Sequence, residues 1–391
     1  MIQRKKLGEI ANISAGQGAP QGAENYSEEG TPFVKAGDLF YLVNGERECD
    51  IQKVSEEVAK NHRLKLYPKG TVLFAKSGMS CMKGYVYATN AECYVVSHLA
   101  CIMPFDVDSK YLKYYFEYHK PNQLVKDASY PSISLADIAE MPINVFDDQT
   151  EAKIVDNLDA VNSLIAKSKE ELGLLDNIVK SRFVEMFGEP IANTHSLPLI
   201  SLSEVGSWNS GGTPSRSNPA YFEGDIDWYS AGELNTLYLE GSVEKVTQDA
   251  LENSTAKLFP AGSMLVGMYD TAAFKMGILK WSSASNQACA CIEPNNSIDI
   301  VWLYHVLQIM KPHFLEQRRG IRQKNLNLGM IKSFQIPYAS KPEQNRFASF
   351  VSEVDKSKFR IQKSLSIGRK LWTMAQIDAI MNMDFSTQRS L

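Results

Sequence analysis

The sequence predicts an α+β protein written twice: two similar mixed α/β domains separated by two long antiparallel helices in a coiled coil, related by a pseudo-twofold axis. Three observations predict it. The 391 residues repeat themselves at an interval of about 195. The first 145 or so residues of each copy consist of short β-rich runs broken by turn residues. The rest of each copy is a long helical stretch with apolar residues every seven positions.

The repeat is collinear. Leu7-Gly8-Glu9-Ile10 is answered by Leu202-Ser203-Glu204-Val205, and Ala36-Gly37-Asp38-Leu39 by Ala231-Gly232-Glu233-Leu234, both 195 positions on. Leu66-Tyr67-Pro68-Lys69-Gly70 matches Leu258-Phe259-Pro260-Ala261-Gly262 at an offset of 192, and Cys101-Ile102-Met103-Pro104 matches Cys291-Ile292-Glu293-Pro294 at 190. Lys120-Pro121 pairs with Lys311-Pro312 at 191, and Gln149 with Gln344 at 195. Ordered pairs whose offsets drift by a few residues are the trace of a tandem duplication in which loops have lengthened and shortened.

Within each copy, runs such as Gly70-Thr71-Val72-Leu73-Phe74 and Gly84-Tyr85-Val86-Tyr87, bounded by Gly, Pro and Asn, predict strands. One amphipathic helix interrupts them, from Tyr111 to Tyr118 in copy one and from Trp302 to Met310 in copy two. Both are expected to stop at a Lys-Pro pair, because proline lacks the N–H that continues a helix. From Glu151 to Phe187 there is no proline, and Leu158, Ile165, Leu172 and Val179 form one heptad row beside a second of Val161, Ser168 and Leu175. Gly188 and Pro190 end it. About 37 residues at about 1.5 Å each span about 55 Å, too long to lie on its own 145-residue domain without overhang. Copy two repeats the pattern less cleanly through Val354, Ile361, Leu365, Leu371 and Trp372, with Gly368 expected to kink or thin the packing. The expected division is a domain at 1–147, a long helix at 148–190, a second domain at 191–340 and a second long helix at 341–391.

Composition narrows the function. Apolar residues make up 44% and charged residues 22%, so the chain folds as a globular protein rather than remaining disordered. No apolar run is long enough to cross a bilayer, and the basic N-terminus is not followed by the apolar stretch of a signal peptide. Six cysteines without a C-x-x-C pair support neither a disulfide scaffold nor a zinc ribbon, so the expectation is a reduced, soluble, cytoplasmic protein. There is no phosphate-binding G-x-x-x-x-G-K-[ST] loop, no G-x-S-x-G elbow, no H-E-x-x-H and no clustering of the six histidines. Asn218-Pro219-Ala220-Tyr221 resembles the base-gripping motif of amino-methyltransferases, but no glycine-rich cofactor loop accompanies it and turn chemistry accounts for it. No catalytic residue, metal site or cofactor is expected in this chain.

The net charge of −4 excludes a uniformly basic surface, not a local one. Arg318, Arg319, Arg322 and Lys324, interleaved with Gln323 and Asn325, form the densest cationic run. Arg and Lys neutralise phosphates, while Arg, Gln and Asn can read purine edges. A solvated charged loop is the competing reading. The matching stretch of copy one holds Lys126, Ser129, Tyr130 and Ser132, whose hydroxyls suit phosphate contact. A second candidate is the strand–loop–strand with Lys76, Ser77 and Lys83, answered in copy two by Tyr269 and Lys275. A third is the polar segment with Ser210, Thr213, Ser215 and Arg216. The loops differ between copies while the framework around them matches, which fits two modules reading two different ligands.

The order of these features resembles the specificity (S) subunit of type I restriction-modification systems over essentially the whole chain. The matching residues are Leu202-Ser203-Glu204-Val205 leading to Gly211-Gly212-Thr213-Pro214, then Phe259-Pro260-Ala261-Gly262-Ser263-Met264-Leu265, Asn286-Gln287-Ala288-Cys289-Ala290 and Pro342-Glu343-Gln344. Copy one departs at two of these places, with Ala15-Gly16-Gln17-Gly18-Ala19-Pro20 and Val96-Ser97-His98. The resemblance implies two target-recognition domains reading a bipartite, asymmetric double-stranded DNA sequence. It also implies long helices that set the half-site separation and dock two methyltransferase (M) subunits, with restriction (R) subunits joining. S-adenosylmethionine, ATP and Mg would sit on those partners, which would methylate adenine and cut DNA, and the expected role is defence against phage. The rival class is a non-catalytic interaction scaffold with two β-rich domains binding proteins or glycans.

Overall fold

The computed structural model describes residues 3–318 and 325–381, and beyond Lys370 the only side chain described is that of Trp372. Arg319, Arg322, Gln323, Lys324 and the Leu371 side chain lie outside the described residues. The chain forms two compact units, Met1–Ser168 with Ser364–Leu391, and Lys169–Lys363. Each long helix contributes residues to both.

In the first unit a four-stranded antiparallel sheet runs in the order Ala11–Ala15, Leu99–Pro104, Val72–Ala75, Val86–Ala88. Every residue of Val72–Ala75 is buried, as expected for a continuous apolar run at the centre of a sheet. A second sheet pairs Thr31–Val34 antiparallel to Lys53–Val54 and parallel to Tyr94–Val95. A two-stranded ribbon, Gln3–Lys6 with Pro142–Val145, closes the domain directly before the long helix.

The second unit repeats this topology. Gly206–Ser210, Cys289–Pro294, Met264–Gly267 and Met276–Leu279 reproduce the antiparallel sheet, with Tyr238–Leu239 added in parallel at its edge. Ile226–Tyr229 pairs antiparallel to Glu244–Val246 and parallel to Ser283–Ser285, and Leu199–Ser201 closes on Gln335–Pro337. The framework match extends to single glycines. The Gly16 N–H donates to Leu99 O and the Gly211 N–H to Cys289 O. A Cβ on Gly16 would overlap the Val95 and Val96 carbonyls, and one on Gly211 those of Ser285 and Asn286. Both copies need a residue without a side chain at this crossing, although the sequences around it differ.

The amphipathic helices differ in their ends. In copy one Ser109–Tyr118 stops before Lys120-Pro121, as expected. In copy two Ile300–Glu316 continues through Pro312, contrary to the expectation that proline ends it. The exposed Pro312 removes one backbone donor, and the turn beyond it is held by Phe314, buried and stacked on Phe334 at 4.4 Å with Phe274 alongside. Tertiary packing outweighs the local cost.

The long helices span Asp148–Phe187 and Lys341–Met381. The heptad positions are protected to different degrees, and Val155, Phe183 and Phe187 are buried beside them. Leu158, Val179, Val354 and Leu365 are buried, and Val161, Ile165, Ser168, Leu172, Leu175, Ile361 and Trp372 are half-buried. In the second unit the helices run antiparallel. Phe187 and Phe183 meet Phe347 at 5.7 and 5.3 Å, and eleven residues further along each helix Asp176 pairs with Lys358 at 2.6 Å. Gly368 does not interrupt its helix, and a Cβ there would sit 3.6 Å from Ile165, an ordinary contact.

The two copies anchor their long helices by one device, and it revises the pairing of Gln149 with Gln344. Asp299 caps its helix through its side chain and donates its N–H to Gln344 Oε1 at 2.7 Å. Asp108 does the same in copy one, but to Glu151 Oε2 at 2.9 Å. Gln149 is exposed, so the counterpart of the fully buried Gln344 is Glu151. Gln344 also donates to the carbonyls of Ser297 and Ala339, whereas Glu151 Oε1 is buried without a partner. Desolvation raises the Glu151 carboxyl above the ordinary glutamate range, against the lowering effect of the Asp108 and Phe146 backbone N–H groups. A raised pKa means that the folded state holds more protons. This group's contribution is therefore intact below the ordinary glutamate value and declines as pH rises through the raised one. Glu151→Gln is expected to stabilise the chain at pH 7 by about 1 kcal/mol and to flatten stability against pH above about 4.5. Urea midpoints at several pH values check both.

Candidate nucleic-acid interface

Two loops that are remote in the sequence meet in each copy. In copy one, Ser77 and Ser132 form an isolated β-bridge, the Gly78 N–H donates to Pro131 O, and the Ile133 N–H donates to Lys76 O. The strand–loop–strand carrying Lys76, Ser77 and Lys83 is thereby joined to the stretch carrying Lys126, Ser129, Tyr130 and Ser132. Tyr130 is 83% exposed at this edge, beside the exposed Ser129 and Ser132. Lys83 is exposed, and Lys126 is paired with Asp137 at 2.8 Å. In copy two the Leu326 N–H donates to Met268 O, and the Asp270 N–H donates to Asn325 Oδ1. The segment with Tyr269 and Lys275 is thus joined to the end of the basic run. The loop tips are not free hairpins: Met79–Lys83 and Asp270–Ala272 each form a short 3₁₀ turn.

Sequence reasoning missed three residues here. His98 Nδ1 lies 2.8 Å from Ser77 Oγ on the exposed edge of copy one. Gln287 accepts from the Thr213 hydroxyl in copy two. Both fall in the segments where Val96-Ser97-His98 replaces Asn286-Gln287-Ala288, so the divergence between copies was the available signal. The third is Lys311, whose ammonium is pushed down first by burial and then by the charge of Lys275. Its place in an amphipathic helix concealed it. Lys275 and Lys311 are thus near neighbours in copy two, and Arg318, just past the end of the helix that carries Lys311, donates its Nε–H to Leu315 O at 2.9 Å.

The third candidate segment divides. Ser210 ends a strand, Gly212 N–H donates to Ser285 O, and Ser215 and Ser217 hydroxyls lie 2.7 Å apart. Arg216 already has a protein partner. Its guanidinium holds both oxygens of Glu244, at 2.5 and 2.7 Å, over the rings of Phe222 and Trp228. This contact lowers the Glu244 carboxyl below its ordinary range. Arg216 nevertheless remains more than half exposed beside this partner.

Of the cysteines, only Cys49 is exposed. Cys93, Cys101 and Cys289 are buried, with thiols pushed up to about 12 by desolvation, and burial pushes His305 down to about 4. Among the described residues no group of His, Cys, Asp and Glu is arranged to hold a metal ion, and no helix is long and apolar enough to cross a membrane.

The family model for the type I restriction modification DNA specificity domain matches this chain twice, over residues 2–174 and 199–367. The chain belongs to this family. It is a type I restriction-modification specificity subunit by family, with one specificity domain in each copy. The type I restriction enzyme EcoR124I/EcoR124II specificity subunit of Escherichia coli is 26% identical over 160 residues, 39% of this chain and 40% of that protein. The MjaIX specificity subunit of Methanocaldococcus jannaschii is 24% identical over 159 residues, 39% of this chain and 37% of that protein. The matched part of the chain thus spans about two fifths of these curated relatives. The fold is shared over much more. An S subunit structure from M. genitalium covers 98% of this chain and 97% of its own at a TM-score of 0.59 and 14% identity. A second structure, from work on assembly and conformational transition of the type I R-M system, covers 97% of both chains at 0.54 and 14% identity.

Proposed function

We propose that each domain of this specificity subunit reads one half of a bipartite, asymmetric double-stranded DNA target through its joined loop edge. The chain performs no chemistry. It docks two M subunits, which methylate adenine with S-adenosylmethionine, and R subunits, which use ATP and Mg, in the cytoplasm. The supporting observation is that both copies bring their two divergent loops to one edge of a framework that is otherwise the same. Copy one offers hydroxyls, His98 and an exposed tyrosine there, and copy two offers cations and amides. Matched scaffolds with unlike edges fit two different half-sites, with phosphate contacts for position and base-edge contacts for sequence.

The basic run supplies the test. Replacing Arg318, Arg319 and Arg322 by Ala is expected to weaken duplex binding. Each lost phosphate contact lowers the slope of log affinity against log salt by about 0.9, so the total loss is up to about 2.7. Filter binding or fluorescence anisotropy between about 50 and 200 mM salt reads this. An unchanged slope in a folded triple variant would place the run on a solvated face.

A further inference from the structure

The pocket at the root of the first long helix is acidic in copy one and neutral at the matching place in copy two. Its volume is about 600 Å³, and Asp106, Asp108, Asp148, Glu151 and Asp156 line it together with Lys110 and Phe105. Equivalence between the copies is fixed by the two helix-capping aspartates, Asp108 and Asp299, and by their partners Glu151 and Gln344. Counting from those anchors, Asp106 corresponds to Ser297, Asp148 to Lys341 and Asp156 to Ser349.

Some of the charge is already balanced. Asp106 pairs with Lys5 at 2.5 Å and Lys110 with Asp159 at 2.6 Å. Among the described residues, Asp148 and Asp156 face no cation within ion-pair distance. A second observation stands apart from the acidic cluster. Glu151 lines the pocket with only 5% of its surface exposed, and one of its oxygens has no hydrogen-bond partner. In copy two that place is taken by an amide whose contacts are complete. A buried carboxylate oxygen left unpaired is costly. Copy one keeps one where copy two shows that the fold accepts glutamine.

From this geometry we infer that the pocket is a docking site for an arginine-bearing segment of a partner subunit. The chemistry selects the occupant. Nucleic acid phosphate would be repelled. A guanidinium can form forked hydrogen bonds to carboxylates and lie against the ring of Phe105, which is 63% exposed beside them. Ala152 and Val155, from the long helix, supply apolar wall for the aliphatic stem. The copies then differ in docking as well as in reading, so a partner can distinguish one end of a pseudo-symmetric subunit from the other. This assignment rests on the proposed role of the chain as a subunit that docks others, and it gives one docking contact its chemistry.

The probe is N-acetyl-arginine amide, titrated into the full chain and followed by methyl NMR at Val107, Ala152 and Val155. Saturable shifts are expected, at least tenfold weaker with the uncharged isostere N-acetyl-citrulline amide. The copy-swapped variant Asp106→Ser/Asp148→Lys/Asp156→Ser carries residues that the same fold already holds in copy two. It should lose the response, while the charge-matched variant Glu56→Lys/Glu57→Gln/Glu92→Gln should keep it. Glu151→Gln should weaken arginine binding several-fold while raising stability. Co-assembly with M and R subunits of a type I system should fall at least tenfold in affinity for the copy-swapped variant. Equal response to citrulline, or persistence of the arginine response in the copy-swapped variant, overturns the site. Assembly of that variant as tight as wild type overturns the docking role while leaving the proposed function standing. A wild-type chain that assembles with neither subunit overturns the proposed function, and this inference with it.

Discussion

Replacing residues 191–340 by the matching segment of a relative with a different target is expected to rewrite one half of the methylated sequence and leave the other half unchanged. The segment contains the complete second β framework, from Leu199–Ser201 to its closing partner Gln335–Pro337, and both joined loops. Its strands pair only with one another, so the exchange cuts no sheet. What the donor must supply is the face that meets the long helices. Trp302 lies against Phe187 at 6.3 Å and His305 against Phe347 at 5.3 Å, in one core with Val179, Phe183 and Val351. A donor keeping apolar residues at those places should fold. Sequencing of methylated adenines made by the assembled complex reads the result, and changes in both halves would contradict independent reading by the two domains.

The largest loss of stability is expected from Phe347→Ala. Phe347 is fully buried and lies against Phe183, Phe187 and His305, so one ring joins both long helices to the second domain. Removing it takes away the transfer free energy of a large side chain and leaves a cavity, about 3–5 kcal/mol together. The neighbouring rings cannot collapse into the space without pulling a helix off the domain. The comparison is Phe359→Ala on the same helix, where the ring is 67% exposed and the change should stay within about 0.5 kcal/mol. Chemical denaturation followed by tryptophan fluorescence should separate the two, because Trp302 is in the affected core and buried. Equal midpoints for the two variants would mean that the helices are not anchored through this contact.

Much of this protein was legible before any contact was known. The duplication, the β-rich framework and the long helices follow from signals that are local or periodic. A strand run such as Val72–Ala75 is recognised by its composition, and a heptad row such as Leu158, Ile165, Leu172 and Val179 by its spacing. These patterns report which face of an element must leave water, and burial along both long helices follows them. Proline at 312 misled because a local rule was applied where Phe314, Phe334 and Phe274 form a tertiary anchor that outweighs one missing hydrogen bond.

What the tertiary structure alone decided is which remote residues become neighbours. Ser77 meets Ser132 and Met268 meets Leu326 because sheet register fixes where loops emerge, and no spacing along the chain encodes that encounter. Arg216 looked like a free cation until the second sheet placed Glu244 and two aromatic rings beside it. Glu151 looked like one acid among many in a helix. Its burial against the Asp108 N–H, with the matching glutamine in copy two, depends on how the helix root seats on its domain. The sequence determined the elements and their faces, because periodic burial is a property of one segment at a time. The pairing of charges and loops required the fold, because desolvation and hydrogen bonding act between segments that only packing brings within about 3 Å.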